Sequence, residues 1–544
     1  MRDSGNVCAA SHQSKVRKNK NTQHNPPSLR KREAYNLSLR AILGLCFLLA
    51  ACSVPPPPPA PAPLPAAEIW PTSGWTFSTP EAQGIDSDAL AYAVETIRQK
   101  RVPVHSVFLE RNGAAVLDAY FFPFPNGETH NVASVTKSVV STLIGIAEGP
   151  HRLGELDRPI FSLLPELAND NPRKQRITLS ELLSMTSGLD CRTPPGENLI
   201  LEMEHSPHWT MFAMNRPVAW EPGTTFEYCG GGMHLVSAAL TRATGESAFD
   251  LARRNLFAPL GIARAAWPAD PDGVSRGFAD LELQPRDAAK LGYLWLRGGR
   301  WEDRQIIPVD YLATALSPHA TVQAGIQYGY GMWLYPSHVP FDFEANGRAG
   351  QRITVIPSES IVEVVTAGGA DANLVAPLLA AAVKANFPLP PNDSGDARLA
   401  AAIALAARPP AVSAAPPLPA WARNVAGRTF LVSDNPLGLR SLSLSFETPA
   451  TASVRLSFAD GTGGDHPVGM DGVPRLSEDV ASGHRVALRG WWRNNEFDLE
   501  YDEVARIDSY TLHLAPVADG LRIHLTERTG LADMVLSATP ALPD

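Results

Sequence analysis

Two apolar, β-prone runs, residues 104–109 and 114–121, are joined at Arg111-Asn112-Gly113. Asn-Gly between such runs predicts a hairpin. Residues 135–146 follow, almost uncharged, and predict a buried helix. From 141 to 340 the pattern is mostly helical and is broken by Pro and Gly loops. Residues 353–356 and 361–366 predict a second hairpin around Pro357-Ser358-Glu359, and 376–385 a closing helix. Strands at both ends with helices between them predict one α+β domain whose sheet unites its two termini. Composition then shifts to Ala, Pro and small polar residues, which predicts a linker over 389–420, with a helix within it at 396–407. Residues 421–544 read as short β runs at 440–446, 452–458, 484–492, 496–501, 509–514 and 521–525. Strands separated by Gly/Asp turns predict a separate β-sandwich or small barrel.

The N-terminal pattern differs. Residues 41–52 form a short apolar run ending at Cys52, behind Lys31, Arg32 and Arg40. A basic flank, a short apolar core and small residues at its end predict a secretory signal. The run is too short to span a bilayer. Leu49-Ala-Ala-Cys52 resembles a bacterial lipobox, which implies a lipid on Cys52, export, and anchoring in a bacterial cell envelope. A plain signal peptide is the alternative. The expected organisation is therefore an extension and signal over 1–52, a proline-rich tether over 53–67, the α+β domain over 68–388, the linker, and the β domain.

Charge narrows the function. The 544-residue chain carries a formal charge of −9 and is 44% hydrophobic. Its first 40 residues hold nine Lys/Arg against two acids, so the remainder is distinctly acidic. No basic, aromatic-interleaved patch occurs in it, which argues against nucleic acid as a partner.

Ser134-Val-Thr-Lys137 opens the first helix. Positions three apart share a helix face. A serine hydroxyl becomes a nucleophile when a base takes its proton, and a desolvated lysine amine can be that base. The alternative is an N-cap serine followed by a snorkelling lysine. The pattern alone is common: Ser28-Leu-Arg-Lys31 also fits it. A second candidate is Tyr228, set between Glu221-Pro-Gly223 and Gly230-Gly-Gly232. A phenolate near an ammonium can exchange protons with it, although a tyrosine capping a turn in the core is the usual case. The third is Gly347-Arg-Ala-Gly-Gln351, before a strand. There a backbone N–H opposite the helix N-terminus could complete an oxyanion hole with the Ser134 amide; a plain β-turn is the alternative.

These segments resemble the serine β-lactamase, DD-peptidase and esterase superfamily. The likeness is greatest to the class C-like, β-lactamase-related hydrolases, which include esterases and 6-aminohexanoate-dimer hydrolases. The match extends to Leu182-Leu-Ser-Met-Thr-Ser-Gly-Leu189, Pro222-Gly-x-x-Phe-x-Tyr-Cys229 with His234, Gln284-Pro-Arg-Asp-Ala-Ala-Lys-Leu-Gly292 and Tyr328-Gly-Tyr-Gly-Met-Trp333, in the same order and spacing. Residues 421–544 look like a lipocalin-like domain sometimes appended to such enzymes. The resemblance implies Ser134 as the acylated nucleophile, Lys137 as proton acceptor, Tyr228 as proton shuttle and the amides of Ser134 and Gln351 as oxyanion hole. It implies no cofactor.

The chain departs from the family at the substrate-contacting positions. The Tyr-x-Asn triplet is Tyr228-Cys229-Gly230, so Gly230 lacks the side-chain amide. The Lys-Thr-Gly position is Arg348-Ala349-Gly350, without the hydroxyl that grips a β-lactam carboxylate, though Arg348 could bind an anion. The expected substrate is an ester, amide or short peptide. A β-lactamase or DD-peptidase acting on D-alanyl peptides and a catalytically silent envelope binding protein are the rivals.

Cys191 and Cys229 both follow candidate-site motifs. Export permits a bridge between them, and the sequence leaves it open. Glu202, Glu204, His205 and His208 cluster in sequence but lack a further ligand at metal spacing, so no metal site is expected. Trp209, Trp295, Tyr330 and Trp333 line an acyl pocket or belong to the core. Asp287 is expected to cap a helix.

Overall fold

A computed structural model describes residues 68–148, 156–192, 198–478 and 483–541. The expectations for the signal, Cys52 and the proline-rich tether lie outside them.

The first domain is built on a nine-stranded sheet in the order Thr76–Phe77, Ala114–Tyr120, Val104–Arg111, Ile361–Ala367, Gln351–Ile356, Asp342–Gly347, Trp333–Tyr335, Ile326–Tyr328 and Ala320–Gln323. All neighbours are antiparallel except the first pair. The first hairpin turns where expected: Asn112 (φ 55°) and Gly113 (φ 85°) both adopt the left-handed geometry of a tight two-residue turn. Ile361–Ala367 pairs with Val104–Arg111, so the two ends of the domain meet at the centre of the sheet. Every residue of both strands is buried, because helices cover both faces. Helices Val135–Glu148 and Pro285–Leu296 pack on one face.

The other face carries helices Ser87–Gln99 and Asp393–Ala406, packed together and buried through Leu399, Ala402 and Ala406. Arg398 pairs with Asp88 and Glu95 across them. This corrects the boundary at 388, since much of the expected linker is core helix. Small alanine side chains let two helices approach closely, and the same composition mimics a linker. The expected closing helix is shorter, Ala376–Ala380.

Residues 429–540 form a closed β-barrel. Nine of ten strands make the ring, sealed by a parallel pairing at Gly469 and Arg489, and Arg475–Glu478 flanks it. The expected runs are all strands, joined by Thr429–Val432, Gly463–Gly469, Arg475–Glu478 and Asp533–Pro540.

The barrel docks on the first domain. The Asn131 N–H donates to Ala505 O (2.9 Å), Arg506 pairs with Glu282 (3.0 Å), and Ile507 packs on Ala133 and Ala349. Among the described residues, no helix is long and apolar enough to cross a membrane.

Candidate active site

The Ser134 turn is built by local hydrogen bonds. Asn131 Oδ1 accepts from the Ala133 N–H (2.8 Å) while its Nδ2 donates to Asp280 (2.8 Å). Ala133 adopts φ 47° just before the helix, an uncommon geometry for a residue with a Cβ. Thr136 Oγ1 donates to Ala133 O and accepts from the Leu281 N–H, tying the first helical turn to the 270–283 segment.

Lys137 is 3% exposed. Its Nζ donates to Ser134 Oγ (2.7 Å) and to the Phe278 carbonyl (2.8 Å), and lies 4.6 Å from the centre of the Tyr228 ring. Ser134, Lys137 and Tyr228 therefore share one site. No carboxylate contacts Lys137 among the described ion pairs.

Tyr228 is held from both sides. The Glu227 N–H donates to Met185 O (2.8 Å), and Cys229 is disulfide-bonded to Cys191, with Cα atoms 5.3 Å apart. Cys229 also caps helix Gly230–Thr244, accepting from the Gly232 N–H. The Tyr228 ring packs against Trp333 (5.8 Å) and edge-on to Tyr328 (6.5 Å). Burial pushes the Tyr328 phenol well above its usual range, so it stays neutral beside Tyr228.

The other aromatic candidates divide. Trp333 is beside Tyr228, whereas Trp295 is core, donating to Thr142 Oγ1, and Tyr330 is buried against His319. Trp209 is core between His234 and Phe278.

Residues 347–351 lie against the same turn. A Cβ on Gly347 would fall 2.6 Å from Val132 O, and Ala349 packs on Ala133. Gly350 takes φ 94°, and the Gln351 side chain is spent on Ala367, accepting its N–H and donating to its carbonyl. Arg348 turns away from the role expected of it. Its guanidinium donates to Asp508 (2.6 Å) and Thr529 (2.8 Å) and lies 3.6 Å from Glu527, all in the barrel. Acidic partners in a segment 160 residues downstream capture this charge. At Gly230 the place of the absent side chain is taken by Ile200, whose Cδ1 would be 2.6 Å from a Cβ there.

The acid–His cluster disperses. Glu204 pairs with Arg276, His208 with Asp272, and His205 with the Leu201 carbonyl, while Glu202 is exposed. Asp287 does not cap its helix but pairs with Lys290 one turn on (3.0 Å).

One pair escaped the sequence. His234 Nε2 and Asp270 Oδ2 are 2.9 Å apart, and both side chains are fully buried. Asp270 Oδ1 accepts the N–H groups of Asp272 (3.0 Å) and Val274 (2.8 Å). This pair pins the loop that delivers the Phe278 carbonyl to Lys137. Nothing local links two residues 36 apart; the signals are His234's place in the matched motif and a histidine amid the apolar run Gly232-Met-His-Leu-Val236.

An antiparallel sheet between helix layers, with a buried Ser-x-x-Lys pair under a tyrosine, defines a β-lactamase-fold hydrolase. Residues 89–405 match the Beta-lactamase family model, and the chain belongs to that family.

Two characterised relatives are similar over part of their length. One is the lovastatin esterase of Penicillium rubens, 26% identical over 189 residues, covering 31% of this chain and 46% of the relative. The other is the D-aminopeptidase of Gluconobacter oxydans, 25% identical over 183 residues, covering 32% and 33%. The chain thus spans less than half the length of each. The octameric penicillin-binding protein homologue of Pyrococcus abyssi shares 16% identity over 82% of this chain and 99% of its own, with a TM-score of 0.44.

Proposed function

We propose that this protein is a serine hydrolase that cleaves an ester or amide through an acyl-enzyme on Ser134. The observation that carries this is the buried Lys137 amine, 2.7 Å from Ser134 Oγ and with no carboxylate partner among the described residues. Ser134 loses its hydroxyl proton to Lys137 as Oγ bonds to the carbonyl carbon. The developing oxyanion takes the amides of Ser134 and Gln351, a role supported by the packing of Ala349 on Ala133. The proton passes by way of Tyr228 to the departing oxygen or nitrogen, and the C–O or C–N bond breaks. Water then enters, gives a proton back along the same route and releases the acid and free Ser134.

The esterase relative supports ester cleavage, and the aminopeptidase relative supports amide cleavage. Ala349 and the engagement of Arg348 by the barrel argue against efficient β-lactam turnover. Export and anchoring through Cys52 complete the proposal and rest on the N-terminal sequence alone.

The test is covalent labelling with a fluorophosphonate, read by intact mass, beside Ser134→Ala and Tyr228→Phe. One adduct on Ser134, absent in the alanine variant, is expected. Tyr228→Phe is expected to slow hydrolysis of p-nitrophenyl esters by about 10²–10⁴-fold. D-alanyl p-nitroanilides and nitrocefin rank the amide and β-lactam alternatives. Folded protein without an adduct would leave the envelope binding protein as the better account.

A further inference from the structure

A cavity of about 410 Å³ lies where the two domains meet, within the range that holds small ligands. Ile97, Val102, Phe121 and Phe122 of the first domain and Pro474 and Ala487 of the barrel give it apolar walls. Arg98, Arg101, Arg408, Arg489 and Arg528 line it against Glu500 and Asp502, so it is cationic in an otherwise acidic body. Glu500 engages Arg489 and Arg528, and Arg528 also donates to the Gly368 carbonyl. Arg98 donates to the Leu405 and Pro409 carbonyls and so ties together the ends of the packed helices Ser87–Gln99 and Asp393–Ala406. Arg101 and Arg408 follow those two ends. Both are exposed, and their guanidinium groups have no partner among the described residues.

The floor offers acceptors. His130 Nδ1 lies 2.7 Å from the Asn131 carbonyl, which can only accept, so that nitrogen carries the proton. His130 Nε2 then accepts from His105 Nδ1 (2.8 Å), which leaves His105 Nε2 bare. Burial depresses both rings, His130 to about 4, and both are neutral at neutral pH. Asp502 Oδ1 is buried with no hydrogen-bond partner among the described residues, while Ser509 bonds the same carboxyl. Gly368 stands between the two: a Cβ there would lie 2.9 Å from His105 Nε2 and 3.6 Å from Asp502 Oδ1.

We propose that this interdomain cavity binds a small organic anion, whose carboxylate or phosphate meets Arg101 and Arg408 and whose opposite end donates a hydrogen bond to His105 Nε2. Two guanidinium groups without partners suit an oxyanion, because arginine bonds to carboxylate or phosphate are charge-assisted and can be bidentate. Exposure screens both arginines, so an apolar body buried against the phenylalanine, valine and proline walls has to contribute as well. A hydroxyl or amide N–H satisfies His105. An ammonium does not suit the floor, since Arg528 stands near enough to His105 to disfavour positive charge there. Ser134, Lys137 and Tyr228 are not among the lining residues, and the assignment does not depend on acyl-enzyme chemistry.

The probe is 4-hydroxyphenylacetate, titrated into the full chain by isothermal calorimetry beside tyrosol phosphate. One saturable site per chain is expected, and the tighter of the two names the oxyanion. Phenylacetate, which lacks the donor, and tyrosol, which lacks the charge, should each bind at least about fivefold more weakly. Arg101→Gln and Arg408→Gln should each weaken binding of the anions at least about fivefold and leave tyrosol unaffected, with circular dichroism unchanged. Should one variant fail to fold, the other decides. Phosphonylated protein should bind the anion as the free protein does. No saturable binding of either anion, full binding by the folded arginine variants, or equal affinity for tyrosol would overturn the assignment. Equal affinity for phenylacetate would overturn the contact with His105. Loss of binding upon phosphonylation would also overturn the assignment, by placing the anion in the catalytic pocket. If Ser134 takes no phosphonate, the four compounds and the arginine variants still decide, so the failure of either proposal is seen separately.

Discussion

Asp270→Asn isolates what the buried His234–Asp270 pair does. Oδ1 of Asp270 accepts two backbone N–H groups and Oδ2 faces His234, so asparagine can keep the first contacts while losing the charge and the second. A hydrogen bond involving a charged group contributes about 1.5–3 kcal/mol, which is the expected destabilisation. Asp270→Ala also removes the acceptor of the Asp272 and Val274 N–H groups, and taking one partner from a buried pair raises the cost to about 3–5 kcal/mol.

If the loop sets the Phe278 carbonyl for Lys137, a similar loss at the reaction barrier slows phosphonylation by about 10- to 100-fold, at 1.4 kcal/mol per factor of ten. Urea unfolding followed by tryptophan fluorescence gives the stability, with Trp209 a reporter 5.5 Å from His234. Burial raises the Asp270 pKa, but hydrogen bonds from His234 and the loop outweigh it and hold the carboxyl below its ordinary range. Stability from a depressed acid is present above its unfolded-state pKa and lost as pH falls through the folded value. The gap between wild type and asparagine variant should therefore close below about pH 4. An asparagine variant that loses stability as expected yet phosphonylates at the wild-type rate would refute the positioning argument. One as stable as wild type would refute the pinning itself.

Reducing the Cys191–Cys229 bridge opens a 38-residue loop and should lower stability by about 4 kcal/mol, with slower ester hydrolysis as Tyr228 loosens, measured by denaturation with and without reductant. Gly347→Ala forces a Cβ toward Val132 O and should cost about 1–3 kcal/mol and slow labelling of Ser134; unchanged labelling would detach this turn from the site. Burial pushes Glu363 up to about 8. A raised carboxyl binds its proton more tightly folded than unfolded, so stability falls as pH rises from about 4 toward 8, by up to about 1.4 kcal/mol per pH unit. Glu363→Gln should flatten that slope and gain more at pH 8 than at pH 5 in urea titrations.

Residues whose role is local are legible in the sequence. The Asn112-Gly113 turn, the central hairpins and the Ser134–Lys137 pair follow from period, turn chemistry and spacing along one segment. Tyr228 joins them through its motif. Residues whose partners lie far along the chain are not. Arg348 looks like an open anion site until the barrel supplies Asp508 and Thr529. His234 is only a position in a matched motif until Asp270 arrives from another loop. Helix Asp393–Ala406 is legible as a helix, but its place in the core is not, since alanines that allow close helix packing also resemble a tether.

The Asn131 N–H donates to Ala505 O, and Ile507 covers Ala133. Gene truncation before the barrel would strip a backbone acceptor and an apolar lid from the turn that presents Ser134. Recombination is therefore expected to transmit the two domains as a pair, and a lineage that shed the barrel would need new residues at positions 131, 133 and 349. Swapping barrels between relatives is constrained in the same way: compatibility rests on the 504–508 loop together with Arg485, Glu527, Arg528 and Thr529, which meet Glu128, Arg348 and the Gly368 carbonyl, and a chimaera that keeps these should tolerate exchange of the remaining wall.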